Sequence, residues 1–200
     1  WLRAERARAP EAARDALLAV YADEPPAARA ALLQALTVGL SMADEALLEQ
    51  ALDDRRKEVR SVAQALLRRL PDSAFARRAR ALVEPLLSFK PGGLLRRDSL
   101  EVALPEAATP AMQRDGIEAK PPAGYSGGQR SYWLEELLAR VPPAPLCRAW
   151  SRDPAALLKL AHKHEYADQL QRGWMRAAVS YGERDWMLEG LASGVLSRGG

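Results

Sequence analysis

Apolar residues recur with the period of an α-helix along much of the chain, and the clearest run begins at Val59. From there apolar side chains fall at steps of three and four residues as far as Leu70, and Pro71 follows. Polar residues occupy the opposite side, so the run predicts an amphipathic helix that ends before the proline. A shorter apolar stripe from Leu47 to Leu52 predicts a preceding helix. Together the two predict an antiparallel helical hairpin.

The same hairpin pattern occurs a second time, earlier in the chain. Asp23 stands five residues before Ala28, as Asp54 stands five residues before Val59, which is an offset of 31 residues. A repeat of this length with two helices is typical of helical solenoids. Because a single hairpin cannot bury its apolar face, neighbouring hairpins stack and share a core.

The residues of the second hairpin resemble a known repeat family. Asp54, Val59, Arg60 and Ala63, within DDRRKEVRSVA, resemble the signature of HEAT repeats. The resemblance implies a structural ladder in which Asp54 closes the turn between helices, Val59 enters the core and Arg60 reaches a neighbouring aspartate. The longer string DDRRKEVRSVAQALLRRLPDSAFARR resembles an uncharacterised bacterial HEAT-like family without an assigned function. That resemblance implies an insert and a tryptophan-bearing helix further along the chain.

The composition changes after the repeats. Residues 73–89 predict another helix, which Pro85 kinks or breaks in its last turn. Residues 90–128 contain 11 of the 27 proline and glycine residues, which excludes long helices there. Within this stretch LLRRDSLEVAL (94–104) alternates enough to predict a short strand or hairpin, and the remainder reads as an extended loop.

Helical patterns resume at residues 131–141 and continue through 154–164, 165–181 and 183–193. The predicted fold class is all-α: a short HEAT-like α-solenoid of antiparallel helix hairpins, a Pro/Gly-rich, partly β insert, and a second helical block. The predicted domains are 1–90 for the repeats, 91–128 for the insert, and 129–200 for the second block, packed on the first. The tryptophans of this block are predicted to fill its core; the alternative is a groove for a partner peptide or a flipped base. They are Trp133, Trp150, Trp174 and Trp186.

The net charge of +3 conceals a strong polarity along the chain. Residues 55–80 hold nine basic and two acidic side chains, whereas residues 1–52 hold five basic and eight acidic ones. Such a basic ridge is suited to a phosphate backbone, whose neutralisation releases counterions. The alternative is a solvated helix face whose arginine stems cover apolar surface. The candidate surface consists of Arg55, Arg56, Lys57, Arg68, Arg69, Arg77 and Arg78.

Other motifs favour structural interpretations. GYSGGQRS (124–131) lacks the Gly-Lys-Ser/Thr of a nucleotide-binding loop and is expected to be a hinge with a capped helix. His164 and Asp168 stand four residues apart, but no third metal ligand follows at a recognisable spacing. They are therefore expected to be solvated turn residues. The sequence predicts no metal and no cofactor.

No sequence motif defines a catalytic site either. Cys147 is the only cysteine, which excludes an internal disulfide and favours a small buried apolar role. Its neighbour Arg148 is expected to lower the pKa of the thiol somewhat. The acidic pairs Asp53-Asp54 and Glu135-Glu136 are interpreted as capping, turn and helix-surface residues.

The predicted function is a non-enzymatic, cytoplasmic scaffold or adaptor that binds another protein. The alternative is nucleic-acid binding through residues 55–80, and the third hypothesis is an enzyme whose active site carries no sequence motif. No apolar run approaches the roughly 20 residues that span a bilayer, so no membrane partner is expected. The identity of the partner and the oligomeric state lie beyond the sequence.

Overall fold

A computed structural model describes residues 1–93 and 96–195 of the protein. Among these residues are twelve α-helices and one two-stranded sheet, which confirms the prediction of a mainly helical protein. The chain forms two compact units: residues 1–75 with 114–116, and residues 76–113 with those from 117 onward. The predicted boundaries at residues 90 and 128 stay a prediction. They mark the ends of the repeats and of the insert, whereas the two units are defined by how compactly the chain packs.

The first unit is built from five helices around its own hydrophobic core. The helices are α1 (Leu2–Arg8), α2 (Pro10–Tyr21), α3 (Pro26–Ala35), α4 (Glu45–Ala51) and α5 (Lys57–Leu67). Pro10 and Pro26 begin α2 and α3, where a missing N–H has no helical partner to lose. A 3₁₀ turn precedes α4, and α5 packs against both α3 and α4.

Helix α5 follows its sequence pattern closely. Val59, Ala63, Leu66 and Leu67 on one face are buried. The helix ends three residues earlier than expected, because the chain tightens into a turn in which the N–H of Leu70 donates to the carbonyl of Leu67. Leu70 still enters the core, so the apolar pattern continues beyond the helix itself.

A buried ion pair ties α1 to the segment before α4. Arg6 is 1% exposed, and its guanidinium donates to both carboxylate oxygens of Asp44 at 3.1 and 2.7 Å. It also donates to the backbone carbonyls of Pro10, Val38 and Gly39. Gly39 has a φ of 64°, a left-handed conformation that glycine adopts without penalty. Every part of this buried charge is therefore compensated.

The second unit contains the remaining elements and a separate core. They are α6 (Ala74–Val83, whose first two residues belong to the first unit), β1 (Leu87–Lys90), β2 (Ser99–Val102), α7 (Pro110–Arg114, whose last residue belongs to the first unit), α8 (Gln129–Leu138), α9 (Ala144–Trp150), α10 (Pro154–His162), α11 (Ala167–Tyr181) and α12 (Arg184–Ala192). Helix α11 packs against α8, α10 and α12. The indoles of Trp174 and Trp186 meet edge to face at 5.5 Å within this core.

The helix predicted over residues 73–89 is wrong in its last part. Helix α6 ends at Val83, a 3₁₀ turn covers Glu84–Leu86, and the chain then continues as β1. Pro85 explains the break, since it offers no N–H to continue the helix. Strand β1 pairs antiparallel with β2, with Leu87 opposite Val102. The predicted strand within 94–104 is thus present as β2, while residues 94 and 95 lie outside the described residues.

Candidate functional site

The seven basic residues of the predicted nucleic-acid surface fall into separate groups. Residues 55–57 lie at the start of α5, and residues 68 and 69 lie just beyond its end. Eleven helical residues at a rise of 1.5 Å separate these groups by about 16 Å. Residues 77 and 78 lie on α6 in the second unit.

The exposure of these side chains differs as well. Five of the seven are exposed and two, Arg68 and Arg78, are half-buried. Arg56 has a local structural role besides, because its backbone N–H donates to the Oδ1 of Asp54 at 2.8 Å. Nothing in this arrangement tests nucleic-acid binding, which stays a prediction.

The repeat ladder is centred on Asp54. Its Oδ2 accepts from the Nε of Arg29 at 2.9 Å, and its backbone carbonyl accepts from the Nη1 of Arg60 at 2.8 Å. Arg29 precedes Arg60 by the 31-residue offset of the sequence repeat. The arginine that reaches the carboxylate thus comes from the earlier hairpin, while Arg60 bonds the backbone of its own turn. Val59 is fully buried, as expected for a core position.

The other acidic residues near this turn, Asp53 and Glu49, also have an arginine partner. Arg114 donates from Nε to Asp53 at 2.7 Å and from Nη1 to Glu49 at 3.0 Å. The hydrogen bonds to Asp53 and to Glu49 raise the pKa of the Arg114 guanidinium above its usual value. Sequence reasoning missed this contact, because 61 residues separate Arg114 from Asp53.

A buried charge cluster connects α8 and α11 in the second unit. Glu135 and Glu136 are only 6% and 8% exposed, so their interpretation as helix-surface acids is wrong. The Nη1 of Arg176 lies 2.6 Å from Glu136 and 3.3 Å from Glu135. Arg140 donates to Glu136 at 2.8 Å, and Arg172 donates to Glu135 at 3.1 Å. The carboxylates are buried because arginines from a distant helix neutralise them.

The cluster is suited to holding helices together and not to proton transfer. Burial by itself would raise the pKa of Glu136, but the guanidinium groups of Arg140 and Arg176 outweigh burial and hold that pKa at about 2. Glu136 is therefore ionised at neutral pH and has no proton to donate. The two helices approach closely at Gly173, where a Cβ would lie 2.6 Å from the Cβ of Leu138.

An open groove lies beside α9 in the second unit and has a volume of about 180 Å³. Its walls come from α6, the 3₁₀ turn, β1, the end of the α8 segment, and α9. It is lined by Arg80, Val83, Glu84, Leu87, Val141, Pro142, Pro145, Leu146, Ala149 and Trp150. Most of these side chains are apolar, and the proline rings carry no N–H. The groove therefore favours an apolar occupant.

The aromatic wall of the groove is held in place by stacking. Trp150 stacks on Phe89 at 5.5 Å, and the guanidinium of Arg152 lies 5.2 Å from the centre of the Phe89 ring. Arg152 is in turn paired with Asp98. The hydrogen bond from Arg152, together with that from the backbone of Gly92, lowers the pKa of Asp98 to about 2. Trp150 thus packs against Phe89, and Arg152 and Asp98 lie beside that ring.

Arg80 lines the groove, but its Nε is buried away from the groove space and has no hydrogen-bond acceptor among the described residues. A buried donor left unsatisfied costs about 1–3 kcal/mol, and more when it is charged. Glu84, at the exposed rim, does not accept from this atom. Arg80 was counted in the basic stretch, but no sequence signal indicated its position in a groove, since α9 itself was not predicted.

The whole chain was then compared with known proteins. A family model described as a family of unknown function (DUF5691) matches residues 1–198. The chain belongs to this family. The predicted membership of an uncharacterised family is confirmed, and the match says nothing of HEAT repeats or of a bacterial source. No curated protein and no solved structure matches the chain.

The remaining motifs of this DUF5691 chain have structural surroundings. In the GYSGGQRS loop the expected side-chain cap of α8 is not formed; instead Ser131 donates to the carbonyl of Gly128. Tyr125 of the same loop donates to Glu135 at 3.0 Å. His164 lies in the turn before α11, where its Nδ1 accepts from the N–H of Tyr166. Among residues 1–93 and 96–195, no group of three or more potential ligands is placed to hold a metal ion.

The single cysteine differs from expectation. Burial raises the pKa of the half-buried Cys147 thiol, so the neighbouring Arg148 does not produce a reactive thiolate. None of the described helices is long and apolar enough to cross a bilayer.

Proposed function

We propose that this DUF5691 chain is a non-enzymatic scaffold and that its second unit binds a segment of a partner protein in the groove beside α9. The groove carries the proposal: it is open, mainly apolar and bounded on one side by Trp150, which stacks on Phe89. Its volume of about 180 Å³ is below the roughly 300–1,000 Å³ of typical small-molecule sites. It suits one or two anchoring side chains of a peptide, the kind of residue that dominates binding energy at protein interfaces.

The same proposal includes a short HEAT-like solenoid in the first unit. Its support is the sequence offset of 31 residues together with the ion pair between Arg29 and Asp54, in which the arginine of the earlier hairpin, equivalent to Arg60, reaches the aspartate of the later one. Stacked hairpins of this kind present extended surfaces to partners. A cytoplasmic location belongs to the proposal as well, and its support is the lone thiol of Cys147.

Site-specific photo-crosslinking in the native cell tests the groove. A photoreactive amino acid replaces Glu84 at the rim, and in a matched control it replaces Glu106, an exposed glutamate of the same unit that does not line the groove. We expect a discrete crosslinked protein from position 84 and none from position 106. Ala149→Tyr, which fills the groove from an exposed helix position, should remove the product. Equal products at both positions, no product at 84, or a product unaffected by Ala149→Tyr contradicts the proposal.

The second candidate function is nucleic-acid binding through residues 55–80. The observation that favours it is the pair of exposed, adjacent cationic side chains of Arg55 and Arg56 at the start of α5. The division of the basic residues between the two ends of α5 gives less support to a continuous track along a phosphate backbone. A salt titration of labelled nucleic acid binding distinguishes the two candidates.

A further inference from the structure

Strand β1 pairs with a neighbour on only one of its two edges. Its partner is β2, and among the described elements only β2 and the 3₁₀ turn that leads into β1 pack closely along it. A strand on the other edge would lie at about 4.8 Å. None of the described helices or strands occupies that place. Ser88 and Lys90 of β1 are exposed, and Phe89 is half-buried.

The register of the sheet shows which backbone groups face this free edge. The N–H of Ala103 donates to the carbonyl of Leu86 at 2.8 Å, one residue outside the pair of Leu87 and Val102. Hydrogen-bonded and non-hydrogen-bonded pairs alternate in an antiparallel sheet, so the backbone groups of Leu87 and Phe89 point away from β2. Within the described chain, the carbonyl of Leu87 and the N–H and carbonyl of Phe89 have no hydrogen-bond partner.

The free edge adjoins the groove beside α9. Leu87 lines this groove, whereas none of its described lining residues belongs to β2. The side chains of Leu87 and Phe89 lie on the same face of the sheet, because alternate residues of a strand share a face. A strand added to β1 would therefore direct every second side chain toward the face on which the groove lies.

We propose that the partner segment binds as an extended strand, which pairs with the free edge of β1 and places an apolar side chain in the groove beside α9. This inference rests on the proposed function and specifies the conformation of the segment. The segment's backbone accepts from the N–H of Phe89 and donates to the carbonyls of Phe89 and Leu87. Strand addition of this kind draws affinity from main-chain hydrogen bonds and specificity from pockets for alternate side chains.

The chemistry of the edge favours a strand over other occupants. A helical segment already uses its N–H and carbonyl groups internally, so it has none to offer to Phe89. Native proteins protect edge strands with prolines or with charged side chains. Strand β1 contains no proline, and its one charged side chain, that of Lys90, is paired with Glu101 of β2. The edge therefore remains competent to pair.

Selection from a phage-displayed library of linear random peptides, with the full chain as bait, supplies the probe. We expect the wild-type chain to enrich peptides with alternating apolar residues, and we expect Ala149→Tyr, which fills the groove, to enrich none of them. One enriched peptide is then synthesised with a methyl group on one backbone nitrogen at a time. By fluorescence anisotropy, methylation should weaken binding at least tenfold at two positions that stand two residues apart. It should have an effect below twofold at the position between them, because only every second N–H of an added strand faces β1.

Replacement of one backbone amide of the protein by an ester tests the same edge from the other side. At Phe89 the α-hydroxy analogue removes the outward N–H and keeps the side chain. The matched control is the same replacement at Leu100, whose N–H faces the opposite edge of the sheet. Each ester also weakens one carbonyl within the sheet, that of Ser88 or that of Ser99, so both should lower the melting temperature to a similar extent. We expect the Phe89 ester to weaken peptide binding about tenfold and the Leu100 ester less than twofold.

The outcomes separate the two proposals. Peptides that need the unfilled groove but show no alternation in the methylation series overturn the inference and leave the proposed groove standing. Equal effects of the two esters, or no effect of the Phe89 ester, also overturn it. A wild-type chain that is dimeric in analytical ultracentrifugation, with a monomeric Phe89 ester, assigns the edge to a second copy and overturns it as well. If Ala149→Tyr enriches the same peptides as the wild type, or the wild type enriches none, both proposals fail.

Discussion

Glu136→Gln replaces a buried carboxylate by a neutral side chain of nearly the same shape. Arg140, whose side chain is 1% exposed, then loses its ion pair with Glu136, while Arg176 keeps a contact with Glu135 at 3.3 Å. A carboxyl pKa held at about 2 instead of 4.5 corresponds to about 3 kcal/mol at neutral pH, at about 1.4 kcal/mol per unit. We therefore expect the substitution to lower the free energy of unfolding of the second unit by about that amount.

The pH dependence provides the sharper test. Because the folded-state pKa of Glu136 is depressed, its contribution is complete above the unfolded pKa near 4.5 and is lost as the pH falls toward about 2. The difference between wild type and Glu136→Gln should shrink from about 3 kcal/mol at pH 7 to roughly 1.5 kcal/mol at pH 3.

Urea denaturation followed by tryptophan fluorescence measures this difference. Four of the five tryptophans lie in the second unit, whereas Trp1 is 81% exposed and changes little on unfolding. Glu101→Gln is the matched control, since Glu101 pairs with Lys90 at an exposed position where such a pair contributes at most about 1 kcal/mol. A loss below about 1 kcal/mol for Glu136→Gln at pH 7, or a difference that stays constant down to pH 3, refutes the electrostatic account.

Three further predictions concern other parts of the chain. Asp44→Asn leaves the buried Arg6 without its counter-ion and should destabilise the first unit by about 3–5 kcal/mol. Thermal unfolding followed by far-UV circular dichroism measures this loss, and a loss under about 1 kcal/mol contradicts the expectation. Gly173→Ala should destabilise the second unit by about 1–3 kcal/mol through overpacking against α8, despite the better helix propensity of alanine, and a gain in urea denaturation contradicts it. The scaffold proposal predicts no salt-dependent binding of labelled DNA or RNA at about 50 mM salt; tight binding that weakens by orders of magnitude at about 200 mM and is lost in Arg55→Glu/Arg56→Glu supports the alternative instead.

The sequence by itself determined the mainly helical fold and most helix positions. Helix α5 is the clearest case, because the spacing of Val59, Ala63, Leu66 and Leu67 is a local property that one helix face satisfies without reference to distant residues. The break near Pro85 was predictable for the same reason, since a proline removes an N–H wherever it stands.

Only the tertiary structure decided the conformation of the chain beyond that break. Residues 87–90 carry an apolar pattern compatible with a helix, but they form a strand because residues 99–102 pair with them. A strand requires hydrogen bonds to a partner, and the sequence of either segment alone does not specify that partner.

Dependence on distant residues also explains why the sequence did not reveal the surroundings of the charged residues in the second unit. Glu135 and Glu136 look like surface acids on their own helix, and their burial depends on Arg172 and Arg176, 37 to 41 residues further along the chain. Arg80 looks like one more residue of a basic ridge, and its half-buried position beside α9 depends on the packing of the second unit. The periodicity of a helix depends only on neighbouring residues, so the sequence reveals it. The environment of a charged group depends on the distant side chains that the fold places beside it.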